Sequence, residues 1–219
     1  MIAENLKNIQ STIPSHVELI AVSKTKPIEL LMEAYEAGQR HFGENKVQEM
    51  VQKYDALPKD ISWHLIGHLQ TNKVKYIAHF VHLIHAIDSL KLLVEVNKQA
   101  KKHNRIINCL LQFHIAQEDS KFGLSWDEAI SLLQSAEYSS MKNVHISGVM
   151  GMASYTSNTD YIRNEFSVLK GYFDDLKKNY FAQSSSFDIV SMGMSNDYEI
   201  AIEQGSTMVR IGSSIFGER

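Results

Sequence analysis

A lysine closing an apolar strand, an arginine near the C-terminus and two glycine-serine turns are the residues in this chain whose types and spacing could do chemistry. The β-branched run Val17 to Val22 leads into Ser23 and Lys24, and Pro27 then opens an amphipathic helical pattern. If that strand belongs to a parallel α/β sheet or barrel, its C-terminal end is where such folds carry their reactive groups. A lysine partly withdrawn from water there loses its proton more readily and attacks carbonyl carbon. Towards the other end, Ser191-Met-Gly193-Met-Ser195 and Ile211-Gly212-Ser213-Ser214 each run from a strand into a helix start. Glycine lets the backbone approach an anion, serine hydroxyls donate to it, and the first amides of a helix carry partial positive charge. In a barrel, the loops after strands seven and eight are the usual phosphate cradle.

A nucleophilic lysine and a phosphate cradle at one mouth suit a phosphorylated aldehyde or ketone bound as a Schiff base. Pyridoxal 5'-phosphate joins both features most naturally, and Arg210, two residues before Gly212, could face its pyridine nitrogen. A permanent cation there keeps that nitrogen unprotonated and weakens the ring as an electron sink. An aldolase-like barrel acting on sugar phosphates uses the same two features and stays open as an alternative.

Other motifs are weaker. Gly212 and Gly217 have the outer spacing of a P-loop, but Glu218-Arg219 stands where Lys-Ser/Thr is required, and no G-x-G-x-x-G occurs. His64 and His68 lack the intervening glutamate of a zinc protease, and His82 and His85 are expected on opposite strand faces. No metal is expected. There is no G-x-S-x-G elbow.

The elements that must position these residues follow a strand-helix rhythm. After a short helix at 2–10, strands are expected at 17–23, 40–45, 61–67, 81–87, 106–115, 144–150, 187–192 and 207–211. Helical patterns separate them, among them 71–79, a stripe of Leu90, Leu93, Val94 and Asn97, and a long helix at 159–178. Ser125-Trp-Asp-Glu128 reads as a capping box, and Asp88 or Ser89 as an N-cap. Alternation of this kind predicts parallel strands with right-handed crossovers. The reading is one α/β domain over 1–219, a (β/α)8 TIM barrel, with a doubly wound open sheet as the alternative. In the barrel, strand ends bring Lys24, Asn45, His64, His85, His114, Met150, Ser191 to Ser195 and Arg210 to Ser214 to one mouth.

Bulk properties narrow the partners. Of 219 residues 44% are apolar and 21% charged, with a formal net charge of -3, so there is no basic footprint for nucleic acid or an anionic membrane. Apolar runs fall short of the ~20 residues that span a bilayer. Cys109, the one cysteine, excludes an internal disulfide and reads as a core thiol. The N-terminus has no secretory pattern, and a cytoplasmic, monomeric protein is expected.

Ala-Val-Ser-Lys24-Thr-Lys-Pro, His-Phe-Gly-Glu-Asn45, Trp-His64-Leu-Ile-Gly-His-Leu-Gln, Ser-Met-Gly-Met-Ser195 and Thr-Met-Val-Arg210-Ile-Gly closely resemble the pyridoxal phosphate homeostasis protein family, related to the alanine racemase barrel. The resemblance covers essentially the whole chain. It implies an alanine racemase-like, fold type III barrel with Lys24 as the Schiff-base lysine and Arg210 at the pyridine nitrogen. It further implies a phosphate site of Ser191, Gly193, Ser195, Gly212 and Ser213, with Asn45 and His64 lining the ring pocket. Ser213 stands where many relatives have threonine. The family is associated with vitamin B6 balance and has no firmly established catalysis. Racemases of this fold add a second domain whose tyrosine is the second acid/base group, whereas this sequence ends just after strand eight. The expectation is therefore a protein that holds the cofactor, with apoenzymes as its partners, without turnover. The alternative is an amino-acid racemase or lyase, with His64 or Tyr155 as the second acid/base.

Overall fold

Eight short strands close on themselves in sequence order. In the computed structural model, which describes residues 1–117 and 122–218, they are β1 (Glu18–Val22), β2 (His41–Glu44), β3 (Ser62–Leu65), β4 (Leu83–Ile87), β5 (Ile107–Gln112), β6 (Val144–Met150), β7 (Ile189–Met194) and β8 (Met208–Ile211). All pair in parallel, and β1 meets β8 through Leu19 opposite Val209 and Ile20 opposite Arg210. The outer layer is α1 (Ile2–Thr12), α2 (Ile28–Glu36), α3 (Val47–Ala56), α4 (Leu90–Lys102), α5 (Trp126–Leu133), α6 (Ala136–Ser140), α7 (Thr159–Asn179), α8 (Tyr198–Glu203) and α9 (Ser213–Phe216). The closed barrel settles the choice against an open sheet. Between the fifth strand and the Ser125 capping box the sequence reads as a polar turn, Gln117 to Gly123, which lies mostly outside the described residues.

Local signals explain the helix ends. Ser125 and Glu128 cap α5 reciprocally, Ser89 accepts from the Leu92 amide at the start of α4, and Gly38 leaves α2 with φ of 100°. Ile2, Leu6 and Ile9 bury one face of α1, which packs on α2 and α9.

Three expectations are corrected. The segment expected as a helix at 71–79 is a 3-10 turn, Thr71–Tyr76, burying only Val74, too little apolar surface to hold an α-helix. On α4 the buried residues are Leu92, Leu93, Val96, Gln99 and Ala100, whereas Val94 is 40% exposed. Both stripes satisfy a helical period, and only the sheet's position chooses between them. Strand β7 begins and ends two residues later than expected, because Gly193 continues it at φ of 97° where its register against β8 shifts between Ser191 and Met194. A Cβ at Gly193 would stand 2.6 Å from that of Ala201, so α8 can pack there only against glycine.

Two cores result. The larger lies between strands and helices, and a smaller one inside the barrel holds Ile20, Leu83, Leu110, Met150 and Met208. Cys109 is buried on the helix side, where burial pushes its thiol pKa up and leaves it protonated. Barrel interiors are ordinarily filled by branched apolar side chains. Here one side is polar instead, and that departure leads to the site.

Candidate functional site

A cavity of about 290 Å³ opens at the C-terminal ends of the strands. Its lining includes Lys24 after β1, Asn45 after β2, Ser195 after β7, Arg210 on β8, and Gly212 and Ser213 at the start of α9. Six of the nine residues singled out from sequence thus share one cavity. Val22, Ile66, Met152 and Met194 supply its apolar wall.

The other three lie close by without lining it. Ser191 is buried beneath the cavity, where its Oγ accepts from Arg210 Nη1 at 2.6 Å. Gly193 acts through the packing of α8 described above. His64 is fully buried one layer deeper than the ring pocket assigned to it. It sits two residues before Ile66, which does reach the cavity, and two strand residues are roughly 6.6 Å of depth on the same face.

Arg210 is 3% exposed and held by two contacts, Nη1 to Ser191 and Nη2 to the Gly151 carbonyl at 3.2 Å. Burial lowers its pKa to about 10, against the opposing pull of Asp197, so the guanidinium is a cation at neutral pH. At the α9 end, the Gly212 amide donates to Ser195 Oγ at 3.3 Å, tying the two glycine-serine turns together. The amides of Ser213 and Ser214, in the first turn of α9, have no acceptor within that helix. A Cβ at Gly212 would lie 3.0 Å from the Val22 carbonyl, so the turn hugs β1. These features suit an anionic group, and the cation beside them suits an aromatic nitrogen base.

Beneath Lys24 is a charged network that sequence reasoning missed. Lys53 of α3, 4% exposed, donates at 2.7 Å to Ser23 O, Glu44 Oε1 and Glu49 Oε1. Ser23 Oγ donates to Glu44 Oε1 at 2.6 Å, and Glu49 Oε1 also accepts from the amide of Thr25. Thr25 has a left-handed backbone, φ of 63°, which costs a β-branched residue about 1–2 kcal/mol. The network therefore clamps the backbone on both sides of Lys24. In sequence, Glu49 and Lys53 have only the i,i+4 spacing common on helix surfaces. The one signal was Glu44, an acid inside an apolar strand pattern.

Below Arg210 a column of imidazoles runs through the barrel. Ser191 Oγ is 2.9 Å from His85 Nδ1, His85 Nε2 is 3.0 Å from His64 Nδ1, and His64 Nε2 is 2.9 Å from His41 Nδ1. Desolvation first, and neighbouring positive charge second, hold His64 and His85 well below the usual imidazole range, so both are neutral. Tyr155 is 91% exposed and does not line the cavity. Among the described residues the lining contains neither tyrosine nor histidine.

A closed parallel barrel with a lysine after strand one, a buried strand-eight arginine and glycine-serine turns after strands seven and eight is the arrangement of the alanine racemase class of barrel. The family model of the alanine racemase N-terminal domain matches residues 1–219. The pyridoxal phosphate homeostasis protein of Aquifex aeolicus is 41% identical over 204 residues, 92% of this chain and 87% of its own length. Among solved structures, PipY of Synechococcus elongatus without PLP superposes with a TM-score of 0.92 at 34% identity, covering 99% of this chain and 100% of PipY. PipY with PLP bound gives a TM-score of 0.88. Alanine racemase of Clostridium difficile, at 14% identity and a TM-score of 0.78, shares the fold, with 60% of its own chain covered. The chain belongs to the alanine racemase N-terminal domain family and, within it, to the pyridoxal phosphate homeostasis proteins.

Proposed function

We propose that this protein binds pyridoxal 5'-phosphate at the C-terminal mouth of the barrel and serves the homeostasis of that cofactor. One observation carries the reading: a lysine amine, a buried cationic arginine and a glycine-serine helix start line a single cavity. When bound, the cofactor supplies an aldehyde that condenses with a primary amine and a ring that withdraws electrons. Lys24 is the residue that joins the aldehyde, and the clamp from Glu49 and Lys53 orients it. Gly212, Ser213 and Ser195 hold the phosphate, and Asn45 flanks the ring. Arg210 faces the ring nitrogen and, being a cation, keeps a proton off it. Ser191 fixes the guanidinium, so it is a positioning residue.

The lining also bears on turnover. Proton shuffling at a substrate carbon needs a second acid/base opposite the lysine. Lys26 and Glu218 also line the cavity; Lys26 Nζ donates to the Gly217 and Glu218 carbonyls at 2.8 and 2.9 Å, and among the described residues the lining has no tyrosine or histidine to serve. Holding the cofactor and releasing it to apoenzymes in the cytoplasm fits this lining better than racemisation does.

The test is an absorption spectrum of protein incubated with the cofactor, before and after borohydride. A new near-ultraviolet or visible band is expected, with reduction fixing an adduct that peptide mapping finds on Lys24. Lys24→Ala should lose both. A band that survives in that variant, with no adduct on Lys24 in the wild type, overturns the assignment.

A further inference from the structure

The opposite mouth of the barrel carries a second cluster that the cofactor site does not use. His41 opens β2, His64 lies within β3 and His82 immediately precedes β4. The parallel register sets Gly43 opposite His64 and His64 opposite Leu83, which places His64 one pleat inside His41 and level with the residue that follows His82. Their ring centroids form a triangle with sides of 5.2, 5.3 and 5.7 Å. One nitrogen from each lies within 4.8 Å of the others. The nearest carboxylate, Glu18 Oε1, is 3.8 Å from His41 Nε2, on the far side of that ring from His64.

We propose that His41, His64 and His82 bind a divalent transition-metal ion of the zinc class. Three imidazoles with no thiolate and no carboxylate in the set favour zinc, copper, nickel or cobalt over magnesium or calcium, which require oxygen. A tetrahedral ion with metal–nitrogen bonds of about 2.0–2.1 Å separates its ligand nitrogens by about 3.3 Å. His41 Nδ1 and His64 Nε2 are 2.9 Å apart, so a small outward turn of the partly exposed His41 admits the ion. His82 is exposed and closes the set by rotating its side chain. Three protein ligands leave the fourth position to water at the mouth.

The rest of the imidazole column supplies the outer shell that such sites need. A ligating His64 Nε2 carries no proton, so the proton lies on Nδ1 and is donated to His85 Nε2, 3.0 Å away. His85 then donates through Nδ1 to Ser191 Oγ at 2.9 Å, the oxygen that also accepts from Arg210. An ion at one mouth thereby fixes the direction of every hydrogen bond down to the arginine of the other. Neither Lys24 nor the phosphate turns take part, so the proposal stands apart from the cofactor reading.

The experiment is calorimetric titration of the untagged, cofactor-free full chain with zinc, with cobalt(II) as an optical probe of geometry. One ion per chain is expected, with the strong visible bands of four-coordinate cobalt. His82→Ala and His41→Asn should each weaken zinc binding at least tenfold, while His79→Ala and His145→Ala, outside the cluster, leave it unchanged. Lys24→Ala should bind zinc like the wild type, which separates this result from any failure of cofactor loading. Absence of one-to-one binding at micromolar protein, or binding undiminished in both His82→Ala and His41→Asn, overturns the proposal.

Discussion

Lys53→Met tests whether the buried charge network positions Lys24. The side chain is replaced by an apolar one of similar length, and three donor contacts of 2.7 Å disappear. The bond to the Ser23 carbonyl contributes about 1 kcal/mol, and each bond to a carboxylate about 1.5–3 kcal/mol. Glu49 has a side chain 22% exposed, so water recovers part of its loss. The remainder is roughly 3–5 kcal/mol, in line with removing one partner of a buried ion pair. Glu44 makes the loss depend on pH. Its carboxyl pKa is raised because desolvation outweighs the bonds from Lys53 and Ser23, and its Oε2 has no hydrogen-bond partner among the described residues. A raised carboxyl favours the folded state below its unfolded value of 4.5, and this contribution is lost as pH rises through the folded pKa. Without Lys53 that pKa climbs further and the window widens upward. Inside it the variant's deficit against wild type grows by about 1.4 kcal/mol per pH unit. Urea unfolding followed by circular dichroism should give a deficit larger at pH 8 than at pH 5.5 by about 1–3 kcal/mol. Adding Glu44→Gln should recover at least half of it, and borohydride trapping on Lys24 should fall in the single variant. Equal deficits at both pH values, with no recovery in the double variant, would refute the reasoning.

Other perturbations follow from single contacts. Arg210→Met leaves the Gly151 carbonyl without its donor and Ser191 Oγ with His85 alone, and should cost about 1–3 kcal/mol in urea unfolding. The same variant should shift the absorption band of bound cofactor; an unchanged band would detach Arg210 from the ring. In Gly67→Ala the new Cβ would stand 2.5 Å from the Asn45 carbonyl oxygen, a backbone atom beside the cavity. That variant should lose about 1–3 kcal/mol and hold cofactor less tightly by spectroscopic titration. Gly171→Ala, in the middle of α7 with nothing within 4 Å of the added carbon, should instead gain about 0.5–1 kcal/mol.

What the sequence disclosed, and what it concealed, divides along the range of the signals. Strands and crossovers are local, because apolar runs, Ser125 with Glu128, and Gly38 announce themselves within a few residues. The cavity residues were legible because each lies at or just after a strand end, and closing a barrel brings strand ends together whatever lies between them. Depth was not legible. Ser191 and His64 carry the right chemistry one pleat too far inside, and a pattern of period two states which face a residue occupies but not its height in the barrel. Partnerships between distant elements were invisible for the same reason. Lys53 and Glu44 are 9 residues apart on a helix and a strand, and Ser191 meets His85 across 106 residues. Yet both groups left the same trace, a polar residue at a fully buried strand position: Glu44 in His41-Phe-Gly-Glu on the helix side, His64 in Trp63-His-Leu and His85 in Leu83-Ile-His-Ala inside the barrel. A lone buried polar group costs several kcal/mol unless it finds a partner. Such positions in one barrel therefore have to be solved together, and the imidazole column under Arg210 is how this chain solves them.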